Sequence, residues 1–515
     1  MSASDQRRAA ISDPTPQRVC VIGAGISGLV TTKVMNNDGF DVICFEKKPH
    51  IGGVWERSRT YPDLRTNTAR EGYAFSDFPY PDTADDFPTA PQVRQYLHDY
   101  AEHFGLHEHI HTSMEVTSVE RLPEDEGGHS FRISARPVEH QADPQTVEAD
   151  FVVVCNGVFS VPNTPEIPGL EHFDGLILHS SELTDPAAVT DQSVIVVGAG
   201  KSALDCATVA AEHGSSCALV FRKPHWSAPR YLFGLRYDWP FFTRMFEVMY
   251  RYHRTSGIES LLHGPGRWLV RAFWRMQSWL VRRLLGIPAP LVPDEPLPGN
   301  LDIGIGRKFY DAVRNGRATP IRAEIDHVTE AGTVQLSTGQ MLDPDVIVFA
   351  TGWHQQVDFL APDLQDAVQT GGRFRLYRHI LPPAEPRLGF VGYAQSFLSQ
   401  LTSEIAAHWL AANFRGDLDL PEREVMEHEI DRVEHWASQT FHPARGGYFI
   451  GPHMSHYIDD LMADMDLPRH RTNPIKEYVG RFLPERYAEV GEERRRSSRG
   501  HGTTPARSPT ELKVS

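Results

Sequence analysis

The chain has 515 residues, 40% hydrophobic and 23% charged, a globular composition with room for two or three domains that excludes a disordered or fibrous protein. A formal net charge of -16 argues against nucleic acid as a partner, because an acidic surface repels a phosphate backbone. The five cysteines, Cys20, Cys44, Cys155, Cys206 and Cys217, stand singly without CxxC spacing, read as reduced buried thiols, and argue against a dithiol-dependent reductase.

The polar leader to about Gln17 lacks the apolar stretch of a signal peptide, and no run of about eighteen apolar residues follows anywhere. A cytoplasmic protein with no transmembrane segment is expected. Val19 to Ile22 then reads as a buried strand, Ile26 to Met35 as a helix and Asp41 to Phe45 as a second strand, a βαβ unit. Between the first strand and the helix lies Gly23-Ala24-Gly25-Ile26-Ser27-Gly28. Its glycines permit a tight turn and close approach of a pyrophosphate, and the helix N-terminus offers unpaired N–H donors to it. Glu46, closing the second strand beside Lys47, is placed to accept from ribose hydroxyls and disfavours a 2′-phosphate. The scattered His98, His103, His107, His109 and His111 lack a paired Cys or acid pattern, so a polar helix and loop is expected there and no metal site.

The pattern recurs at Ser193 to Val197, a helix from about Ser202 to His213 and a strand from Cys217 to Phe221. Here the turn is Gly198-Ala199-Gly200-Lys201-Ser202-Ala203, and the strand ends in Arg222-Lys223 instead of an acid. Two cations in that place suit the 2′-phosphate of NADP, so the first site is read as FAD and the second as NADPH. Two apolar runs, Phe151 to Val154 and Val346 to Phe349, lead into Cys155-Asn156-Gly157 and Ala350-Thr351-Gly352, which read as crossings between the folds. The expected architecture is therefore α/β: two Rossmann-like dinucleotide-binding domains, the second inserted into the first, with a helical insert. The boundaries are 17–165 and 341–490 for the FAD domain with its C-terminal helices and 166–340 for the NADPH domain. Within the latter, 226–300 interleaves Trp268, Phe273, Trp274 and Trp279 with Arg271, Arg275, Arg282 and Arg283. That segment admits two readings, a helical lid over the cofactor cleft with solvated arginines or a membrane-facing amphipathic surface across 241–290, and the lid is preferred. The tail 491–515 shows no apolar pattern and is expected to be disordered.

Gly52-Gly53-Val54-Trp55, then Tyr61-Pro62 through Leu64-Arg65-Thr66-Asn67, then Phe75-Ser76-Asp77-Phe78-Pro79, resemble the flavin-containing monooxygenases in order and spacing. So do Phe173 to His179, similar to the family's FxGxxxH signature, and Ala350-Thr351-Gly352-Trp353, similar to its ATG-aromatic signature. The resemblance spans roughly residues 17 to 415. It implies that NADPH reduces FAD, that NADP+ stays bound, and that O₂ forms a C4a-(hydro)peroxyflavin which oxygenates nitrogen or sulfur of a small organic substrate, as in N,N-dimethylaniline monooxygenase activity. Baeyer–Villiger oxidation of a ketone to an ester is the alternative. It also carries Gly53, Val54, Trp55, Thr66, Ala350, Thr351 and Gly352 to the cofactor sites, and Asn67 to the reactive edge of the flavin, where a neutral amide hydrogen-bonds without titrating. His179 joins Asn67 as an active-site residue, read as structural support more than as a proton donor. Two departures stand out: Leu183 occupies the position four after His179, where an aromatic residue separates the subclasses, and 226–300 is longer than a minimal member needs. The partners implied are a small molecule and O₂; whether the chain forms a homodimer is open.

Overall fold

A computed structural model describes residues 16–123, 129–138, 144–232, 234–236, 241–255, 257–298, 301–303, 307–440 and 449–500. Two five-stranded sheets, parallel throughout, organise them. The first runs in the order Leu388–Phe390, Phe151–Val154, Arg18–Ile22, Asp41–Phe45, Ile110–His111. Successive side chains of a strand point to opposite faces, and this strand serves two cores at once. Val19 and Val21 pack with the helices Ile26–Asn37 and Ser399–Phe414. Cys20 and Ile22 pack with the antiparallel strands Met114–Arg121 and Phe131–Pro137. Burial on both sides explains why these runs are continuously apolar instead of alternating.

The second sheet repeats the plan, in the order Thr319–Arg322, Ser216–Phe221, Ser193–Val197, Val346–Phe349, Leu176–His179. Val194 and Val196 face the helix Lys201–His213, while Ile195 faces a meander built from Ile325–Val328, Val334–Leu336 and Met341–Leu342. All its strands fall in the sequence between two strands of the first sheet, Phe151–Val154 and Leu388–Phe390. Helix Lys201–His213 begins one residue earlier than the sequence reading placed it.

Among the described residues, the α-helices Arg244–Glu247, Gly257–His263 and Arg267–Leu285 follow the second βαβ unit. The longest buries Val270, Trp274, Ser278, Val281 and Leu285, a stripe at helical spacing that joins the second core. Its outer face carries arginines, as expected, but also leaves Trp268 and Trp279 64% and 60% exposed. None of the described helices is long and apolar enough to cross a membrane. No group of three or more potential metal ligands occurs among the described residues, and all five cysteines are buried thiols.

The expected disorder from 491 onward is corrected in part: Val490–Gly500 is a helix, and only 501–515 lies outside the described residues. Charge pairing, not an apolar stripe, fixes it. Arg494 is buried in an ion pair with Asp38, and Glu493 takes both amino groups of Arg471 at 2.8 Å.

A candidate site between two glycine turns

At the first turn, the geometry explains the glycines one by one. Gly23 has φ +102°, and a Cβ there would lie 2.8 Å from the Cys155 carbonyl oxygen; at Gly28 it would lie 1.7 Å from the carbonyl oxygen of Gly23. Strand, turn and helix are in backbone contact. Gly25, the N-cap of the helix, receives no side-chain cap, and it faces Gly53 so closely that a Cβ on Gly53 would sit 3.0 Å from its Cα. The outcome is a groove walled by backbone, with free helix N–H groups at its end, which suits a phosphate ester. Ser27 turns toward Ser403 at 3.1 Å, and the backbone of Gly392 presses on it.

Glu46 is buried, and its carboxylate accepts from the backbone N–H groups of Ala24 and Lys48, both at 2.8 Å. The acid is thus fixed against the turn with lone pairs to spare. Lys47 beside it is exposed. Val54 is half-buried, and Trp55, buried, donates its indole N–H to the Tyr73 hydroxyl at 3.0 Å.

The loop from Gly52 to Thr68 links the two turns. Gly53 abuts Gly25 at one end, while Tyr61 donates its hydroxyl to Asp205 of the second-turn helix at 3.0 Å. Further along, Thr66 donates its N–H to Pro88 at 3.0 Å and Thr68 its hydroxyl to the Phe397 carbonyl at 2.7 Å, pinning both neighbours of Asn67. Asn67 itself is exposed and takes no partner among the described residues. The Thr66 hydroxyl is buried and equally unpartnered, a polar atom waiting for a ligand group. Arg230 reaches the Thr66 carbonyl with Nε at 3.5 Å, and burial holds its proton affinity below the ordinary arginine value.

Phe397, whose carbonyl Thr68 holds, walls with Phe241, Phe242, Phe246 and Tyr250 a chamber nearly filled by its own side chains, with about 10 Å³ left open. Phe242 stacks on Phe397 with ring centroids 5.7 Å apart. The insert therefore supplies an aromatic wall to the residue that Thr68 holds.

At the second turn Gly198 has φ +140°, and a Cβ would lie 2.4 Å from the Ala350 carbonyl oxygen and 3.2 Å from the buried Ala203 methyl group. Gly200 is an uncapped N-cap like Gly25. Lys201 is not free: its ammonium pairs with Asp205 and approaches Tyr61 at 3.3 Å, tying the two folds together. Ser202 is half-buried. Arg222 and Lys223, at the end of strand Ser216–Phe221, are exposed and form no ion pair with any described residue. Each turn thus presents a backbone cradle and open N–H donors, with an acid, Glu46, just past the next strand at the first and two cations, Arg222 and Lys223, just past the next strand at the second.

His179 sits where the second sheet returns to the first. Its Nε2 donates to the Gly352 carbonyl at 3.1 Å, leaving Nδ1 to accept from Ser181, and burial lowers its proton affinity. With both ring nitrogens engaged inside the protein, it has no proton or lone pair for a substrate. The Ala350–Thr351–Gly352 crossing is fixed in the same way: Ala350 donates to Val197 at 2.8 Å, and Thr351 and Gly352 both bond Asn163. Leu183 is fully buried in the second core. Sequence reasoning missed Arg230 and Gly392; the only cue for either was position, one just past Pro229 and one just past a buried strand.

A family profile described as flavin-binding monooxygenase-like matches residues 16–269 and 308–466. A probable flavin-containing monooxygenase 1 of Arabidopsis thaliana is 29% identical over 93% of this chain and 96% of its own length. A dimethylaniline monooxygenase [N-oxide-forming] 2 of Oryctolagus cuniculus is likewise 29% identical, over 80% and 76%. Among solved structures, the S-allyl-L-cysteine S-oxygenase of Allium sativum superposes with TM-score 0.62 at 21% identity, covering 95% and 94% of the two chains. A cyclohexanone monooxygenase bound to epsilon-caprolactone reaches 0.65 at 20% identity, covering 87% and 98%.

Proposed function

Because the chain belongs to the flavin-binding monooxygenase-like family, we propose that it oxygenates nitrogen or sulfur of a small organic molecule, with FAD at the first glycine turn and NADPH at the second. The observation that carries the assignment is the loop Gly52–Thr68, which packs Gly53 on Gly25 of the first turn and bonds Tyr61 to Asp205 of the second-turn helix. FAD and NADPH together supply the hydride transfer and O₂ activation. The protein supplies position and dryness. Gly23, Gly25, Ile26, Ser27, Gly28 and Gly53 line the pyrophosphate groove, Glu46 holds a ribose, and Val54, Trp55 and Thr66 border the flavin ring. Asn67 offers a neutral amide to the reacting oxygen or to the nicotinamide, and the phenylalanines keep water out. The nitrogen and sulfur preference draws on the N-oxide-forming relatives. Incubation with a tertiary amine or a thioether yields an N-oxide or sulfoxide on this reading; an ester from a ketone, with amines and thioethers untouched, would replace it with Baeyer–Villiger chemistry.

Nucleotide choice follows from Arg222 and Lys223, since two charge-assisted contacts to a 2′-phosphate are absent with NADH. The double substitution Arg222→Ala, Lys223→Ala is expected to raise the KM for NADPH about tenfold or more while leaving that for NADH nearly unchanged. Equal effects on the two nucleotides would remove these residues from phosphate recognition.

A further inference from the structure

Beyond the aromatic chamber, the insert and the helix Arg423–Thr440 border a much larger open cavity of about 730 Å³, ample for a molecule of ten to thirty heavy atoms at roughly 20 Å³ each and within the usual range of ligand pockets. Its apolar wall includes the buried rings of Trp274 and Trp436. Around them stand Arg271 and Arg275 from the insert helix and Arg432 from the opposite wall, and not one lining residue is an Asp or Glu. In a chain of net charge -16 that is a local reversal of sign. Arg432 shares its charge with Glu429 at 3.4 Å, whereas Arg271 and Arg275 have no ion-pair partner among the described residues. His253, also in the wall, has a buried Nδ1 with no hydrogen-bond partner. Burial, followed by the charges of Arg432 and Arg254, pushes its proton affinity down to about 3, so it is a neutral group in a positive field. Arginines without an acidic partner beside aromatic rings suit a bound organic anion that carries an apolar body.

Tyr250 lines this cavity and the aromatic chamber alike, so the two adjoin at one ring. We propose that the cavity binds organic carboxylates with an apolar body and is the antechamber from which such substrates pass inward at Tyr250, toward the aromatic chamber. The passage inward rests on the monooxygenase reading; the binding does not.

The test is calorimetric titration of the flavin-loaded enzyme with 2-naphthoate and with its neutral isostere 2-naphthamide, which needs no turnover. The acid is expected to bind about tenfold more tightly than the amide, the worth of one charge-assisted contact. R271Q/R275Q on one wall, and separately R432Q on the other, should each erase most of that preference, while R282Q/R283Q, further along the same helix and outside the cavity, should retain it. Equal affinity for acid and amide, no binding of either, or the same loss in R282Q/R283Q would overturn the proposal. If the binding preference holds but naphthoate-type thioethers are not oxygenated while neutral ones are, the antechamber role falls and the carboxylate site stands.

Discussion

Gly28→Ala is expected to yield a protein that no longer retains flavin. The added methyl group would lie 1.7 Å from the Gly23 carbonyl oxygen, so the first turn and the helix that follows it must separate by more than 1 Å for the side chain to fit. Both obstacles are backbone, and neither can rotate away as a side chain would. Overpacking of this kind costs upward of about 3 kcal/mol, enough to weaken flavin retention about a hundredfold. The ratio of flavin to protein absorbance after gel filtration reads it directly. Gly39→Ala is the matched control: Gly39 has φ +85°, so the substitution is strained by the left-handed backbone, yet a Cβ there meets nothing within 4 Å. It should lose a little stability and keep its flavin. A Gly28→Ala protein with stoichiometric flavin would mean that the turn is not the flavin site.

Arg244→Met is expected to destabilise the protein by about 3 kcal/mol and to loosen the aromatic chamber. Arg244 is buried in the insert and grips two elements of the C-terminal region: Asp459 through both amino groups, at 2.6 and 2.8 Å, and Glu477 through Nε at 2.8 Å. Burial opposes its charge, but Asp459 above all, with Tyr487 and Glu247, holds its proton affinity above the usual arginine value. Glu477 is itself buried, so methionine leaves a carboxylate in a poor medium with only the N–H groups of Arg471 and Thr472 for support. The loss should therefore fall at the lower end of the range for a broken buried pair. Denaturant titration measures it, and Arg244→Met combined with Glu477→Gln should recover part of it. Because Phe242 and Phe246 flank this anchor, NADPH oxidation without product should rise in the same variant.

A second tie behaves oppositely toward pH. His456 bonds Glu259 at 2.7 Å and Glu247 at 3.3 Å. Burial works against its charge, but these carboxylates raise its proton affinity to about 10. A raised value in the folded state stabilises fully below the unfolded histidine pKa of about 6.5 and is lost as pH climbs toward 10. The contact of the insert with helix Met454–Asp464 is thus expected to weaken in alkali.

Both glycine turns were legible in the sequence because everything that defines them is local: a short apolar strand, glycines at fixed offsets and a helix, with Glu46 or Arg222-Lys223 at the next strand end. The crossings at Gly157 and Gly352 showed for the same reason. What stayed hidden depends on partners distant along the chain. Arg494 looked like part of a solvated tail because nothing near it in sequence announces Asp38, 456 residues away. Lys201 read as one residue of the second turn, with nothing near it in sequence to announce its contact with Tyr61, 140 residues away. The helix Arg267–Leu285 could be read as amphipathic, but not which aromatic residues face inward: Trp274 is buried and Trp279, five residues on, is exposed. Leu183 carries no subclass information because it is a core residue.

The most direct test of the monooxygenase assignment is turnover of the FAD-loaded enzyme with NADPH under ¹⁸O₂, with a panel of tertiary amines and thioethers, following NADPH consumption and the mass of the product together. The account predicts one ¹⁸O atom in the product for each NADPH consumed, and loss of that coupling on Asn67→Ala with flavin content intact. NADPH consumption that returns all of the oxygen as hydrogen peroxide across the panel, or product oxygen drawn from water, would contradict it.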